Sequence, residues 1–67
     1  MDPVVHKRFL EYRERFTYFG RRGMTQLDAA SFSAADAEHR ALDAKGDARD
    51  DEESARFVEL SKILFRD

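Results

Sequence analysis

The chain has 67 residues, no cysteine, 42% hydrophobic and 39% charged side chains, and a formal net charge of −2. That length holds one domain at most, and the missing cysteines exclude disulfide staples and thiolate metal sites. The charge excludes the strongly basic footprint of a typical nucleic-acid binder, and no apolar run approaches the ~18–20 residues of a membrane span.

Asp2-Pro3 reads as a helix start, an acceptor at the cap followed by proline at the first helical position. Val5, Phe9, Tyr12, Phe16 and Phe19 then recur at steps of 4, 3, 4 and 3. At about 100° per residue they form one narrow stripe on a helix from about Pro3 to Phe19. Five of the chain's eight aromatic residues lie between Phe9 and Phe19. Such a stripe must pack on something. Gly20 is expected to end the helix with a positive φ. Arg21 and Arg22, between Gly20 and Gly23, are a candidate anion contact. The plainer reading is that they complement the helix dipole and keep a loop soluble.

A second helix is expected over about 28–45. Asp28 can cap it, and Leu27 and Phe32 stand at the hydrophobic-staple spacing. Ser33, with Asp36 three residues on, is a competing start. The apolar stripe is thin (Phe32, Ala35, His39, Leu42), and Gly46 is the stop signal. Asp36, Glu38 and Asp43 read as its exposed, acidic face.

Asp47 or Asp50 caps a third helix, over about 48–66. Acids crowd its first turns (Asp50, Asp51, Glu52, Glu53), while Lys62 and Arg66 lie in its last. Both placements suit the macrodipole. Phe57, Val58, Leu60, Ile63, Leu64 and Phe65 make a broad apolar arc that one neighbouring helix would not cover.

No stretch carries a strand pattern. The expected fold is all-α: a single helical domain over 1–67, a small antiparallel bundle or hairpin of three helices. In an up-down-up arrangement Asp50–Glu53 would face His6, Lys7 and Arg8. Charge is uneven along the chain: residues 1–23 carry six basic and three acidic side chains, residues 47–67 four and seven. Helices of one chain, or of neighbouring chains, would attract one another.

Signs of chemistry are few. The two histidines, His6 and His39, lack the three or four convergent ligands of a zinc site. The serines and threonines show no nucleophile–base–acid spacing, and there is no glycine-rich phosphate loop. No catalytic residue, metal or cofactor is expected.

The sequence therefore reads as a non-catalytic interaction or oligomerisation module, its partner itself or another protein. Core or interface residues would be Val5, Phe9, Tyr12, Phe16, Phe19, Phe32, Leu42, Phe57, Val58, Leu60, Leu64 and Phe65. The weaker alternative is a nucleic-acid-binding regulator using Arg13, Arg15, Arg21 and Arg22. MDPVVHKRF has no apolar signal-peptide core, and the lack of cysteine fits a reducing cytoplasm. Nine arginines against three lysines fit a GC-rich bacterial genome. In size and helix count the chain is similar to small helical adaptor subunits, a likeness that no residue motif carries.

Overall fold

The computed structural model describes residues 2–66 as three helices: α1 (Pro3–Phe19), α2 (Ala29–Lys45) and α3 (Asp51–Ile63). A 3-10 turn over Gly46–Ala48 precedes α3. Each helix starts on an aspartate. Asp2 accepts from the Val4 N–H, Asp28 from Ser31 and Asp50 from Glu53. At α3 the Glu53 carboxylate also accepts from the Asp50 N–H at 3.3 Å, completing a capping box. Of the two candidate starts for the second helix, Asp28 is the one used. Leu27 and Phe32 both belong to the core cluster, as a staple requires.

The small bundle has α2 at its centre, packed against both α1 and α3. Among the described residues the bodies of α1 and α3 make no close backbone approach. The molecule is accordingly thin, 33 × 29 × 16 Å. A turn after α3 makes the remaining link. The Phe65 N–H donates to the Lys62 carbonyl at 3.3 Å and Arg66 N–H to Ser61 at 2.7 Å, the paired bonds of a Schellman motif. Phe65 holds the left-handed position at φ 56°. Its ring lies 6.0 Å from Tyr12 and 6.2 Å from Phe16, so aromatic packing holds a residue where glycine is usual. The core is Val5, Tyr12, Phe32 and Leu64, with Phe9, Phe16, Leu27, Ala35 and Phe65 packed against it.

Three expectations need correcting. The third helix stops at Ile63, because the Schellman turn takes Leu64, Phe65 and Arg66 out of it. Gly20 has φ −62°, not a positive value. A side chain there would run into the Phe16 carbonyl that its N–H bonds at 2.8 Å, so close approach is what demands glycine. The acidic start of α3 does not pair with His6, Lys7 or Arg8. Glu53 pairs with Lys45 across the α2–α3 turn, and Arg8 goes to Asp36.

Candidate interaction surface

The interior sets which surfaces remain open. Asp36, expected on the outer face of the second helix, is fully buried. Three guanidinium groups from separate parts of the chain converge on it. Arg8 Nη1 lies 3.3 Å and Arg40 Nε 3.1 Å from Oδ2, and Arg66 Nη2 lies 2.7 Å from Oδ1. The Arg66 contact is an ion pair off the hydrogen-bond axis, for Oδ1 has no hydrogen-bond partner. A buried carboxylate needs such compensation, and here it ties α1, α2 and the turn after α3 together.

One turn along α2, His39 Nε2 is 3.0 Å from Ser61 Oγ, and the Ser61 hydroxyl donates to the Phe57 carbonyl at 2.9 Å. With its one proton spent, the hydroxyl accepts from His39, so Nε2 carries the hydrogen. His39 also stacks on Phe57 at 4.6 Å, and the Arg49 guanidinium sits 4.2 Å from the same ring. Burial, first, and then Arg66 hold the His39 pKa below its usual value, against the opposite pull of Asp43 and Asp36. Among the described residues no three metal-ligating side chains converge.

The stripe of α1 outlasts its cover. Val5 and Tyr12 are buried, and Phe9 and Phe16 half-buried. Phe19 is 66% exposed, beside Tyr18 at 75% and Met24 at 40%. Phe65 covers Tyr12 and Phe16 and reaches no further along the stripe. What remains is a cleft of about 480 Å³ lined by Phe19, Arg21, Met24, Lys62 and Phe65. Arg21, Arg22 and Lys62 have no ion-pair partner among the described residues, and residues 20–27 contain no acid.

The remaining candidates fall into two groups. Phe32, Leu42, Leu60 and Leu64 are buried, and Phe57 and Phe65 half-buried. Val58, by contrast, is 51% exposed on the side of α3 away from α2. The four arginines of the nucleic-acid alternative do not share a face. Arg13 lies 5.9 Å over the Phe9 ring, Arg15 pairs with Glu11 at 3.5 Å, and only Arg21 and Arg22 stand free in the loop. Comparison with protein families, curated proteins and solved structures gave no match.

Proposed function

We propose that this chain is a non-catalytic helical module that binds a copy of itself or another protein. One observation carries the reading: the aromatic stripe of α1 runs past its cover at Phe65, leaving Phe19 two-thirds exposed at the mouth of a cleft of mixed apolar and basic lining. Aromatic groups clustered in this way are the usual anchors of protein interfaces. The absence of nucleophile motifs supports a role without catalysis, and the cysteine-free sequence supports work in a reducing cytoplasm.

The test is site-specific photocrosslinking in the producing cell, with a benzophenone amino acid at Phe19, Met24 or Val58 and at exposed Glu14 as control. Discrete adducts at the first three positions are expected. Adducts no stronger than at Glu14 would remove the reading.

A further inference from the structure

The outer face of α3 carries a self-complementary pattern. Asp51, Ala55, Val58 and Lys62 are all exposed. At about 100° per residue they fall within roughly 60° of arc, on the side away from the inward-facing Phe57 and Leu60. Their spacing of 4, 3 and 4 is the same read in either direction. The charges are not: an acid stands at the N-terminal end and a base at the C-terminal end. Neither Asp51 nor Lys62 has an ion-pair partner among the described residues.

We propose that this face docks on the same face of a second copy, the two α3 helices running antiparallel about a two-fold axis. The inference rests on the interaction-module reading and names the partner. In an isologous contact, residue i meets residue j and j meets i. Centring the axis between Ala55 and Val58 places Val58 of each copy on Ala55 of the other, and Lys62 of each on Asp51 of the other. Small alanine lets the helices approach while valine fills the gap, as in a coiled-coil seam.

The same geometry addresses the cleft. Lys62 is both the last member of the seam and part of the cleft wall beside Arg21. The segment arriving there is the start of the other copy's α3, with exposed Asp47, Asp50, Asp51 and Glu52 just before or within its first turn. The cleft's unpaired bases thus meet unpaired acids, twice over. Parallel pairing would instead set Asp51 against Asp51 and Lys62 against Lys62, so charge selects the antiparallel register.

Sedimentation equilibrium of the chain and two charge reversals tests this, up to about 1 mM because the seam is small. Circular dichroism checks that each variant stays helical. Asp51→Lys makes the seam wholly basic, and Lys62→Glu makes it wholly acidic. The unchanged chain should dimerise. Each reversal alone should weaken the dimer by about tenfold or more. An equimolar mixture of the two should recover association as a mixed dimer. A chain monomeric at every concentration, reversals that dimerise unchanged, or a mixture that stays monomeric would each overturn the proposal. If photocrosslinks at Phe19 to a protein of another mass persisted in that case, the module reading would stand and only the second copy would be excluded.

Discussion

Arg66, beyond the end of α3, reaches back to Asp36 in the middle of α2, with Nη2 2.7 Å from Oδ1. Asp36 is fully buried, and Arg8 and Arg66 are 33% and 20% exposed. Replacing Asp36 by asparagine keeps the shape and leaves three guanidinium groups facing a neutral amide. Losing one partner of a fully buried pair costs ~3–5 kcal/mol. Since Arg8 and Arg40 still reach water, Asp36→Asn should cost about 2–3 kcal/mol. Arg66→Met leaves two cations on the carboxylate and should cost less. Urea melts of both variants check the order, and an Asp36→Asn protein as stable as the parent would remove the cluster's structural role.

Tyr12 is buried, and its hydroxyl accepts the Leu27 N–H at 3.0 Å. The bond ties the middle of α1 to the residue before the α2 cap. Tyr12→Phe leaves that N–H unpaired beside the core and should cost about 1 kcal/mol. Hydrogen exchange locates the effect: the Leu27 amide should exchange faster, with the middle of α1 little changed.

Phe65 combines a strained backbone with a packed ring. Alanine there would lose the ring and keep the left-handed φ. Glycine would lose the ring and relieve the strain, worth about 1 kcal/mol. Phe65→Gly should therefore be the more stable of the two, the reverse of the order within a helix. Finding alanine ahead by thermal melt would mean that the left-handed turn is not maintained.

His39 predicts a pH dependence. Its pKa is lowered in the folded protein, chiefly by burial and then by Arg66. As pH falls below the ordinary imidazole value of about 6.5, the unfolded chain takes up the proton first. Stability is thus complete above that value and declines from there down to the folded-state pKa. Exchanging His39 for glutamine, which keeps a donor for Ser61, should flatten melting temperatures over that interval. An NMR titration placing His39 above 6.5 would contradict this account.

The helices were legible because their signals are local. Asp2-Pro3 and Asp28 sit beside the turns they cap, and the stripe from Val5 to Phe16 repeats within a single element. Asp36 was not legible as a buried residue. Its compensating charges come from Arg8, Arg40 and Arg66, and no window along the chain spans them. The end of α3 differs from its local pattern for a related reason. Phe65 looks like a helical apolar residue, and it leaves the helix because Tyr12 and Phe16, some 50 positions earlier, hold its ring. At the interaction surface, Phe19 lies in phase with the stripe of α1. Its exposure follows from where the turn after α3 crosses α1, at Tyr12 and Phe16, which periodicity does not encode.

The link between α1 and the turn after α3 also orders events during folding. Arg15 on α1 donates to the Leu64 carbonyl at 3.5 Å, Tyr12 and Phe16 pack on Phe65, and Arg8 and Arg66 share Asp36. Before residues 64–66 dock, α1 and α2 can already pair, but the C-terminal half of the α1 stripe has no lid. Closing that long loop is slow compared with forming the helices it joins. The α1–α2 hairpin therefore shows Tyr12 and Phe16, in addition to the already exposed Phe19, until Phe65 docks. In that interval a chaperone, or a neighbouring nascent chain, meets a wider aromatic surface than the finished protein offers.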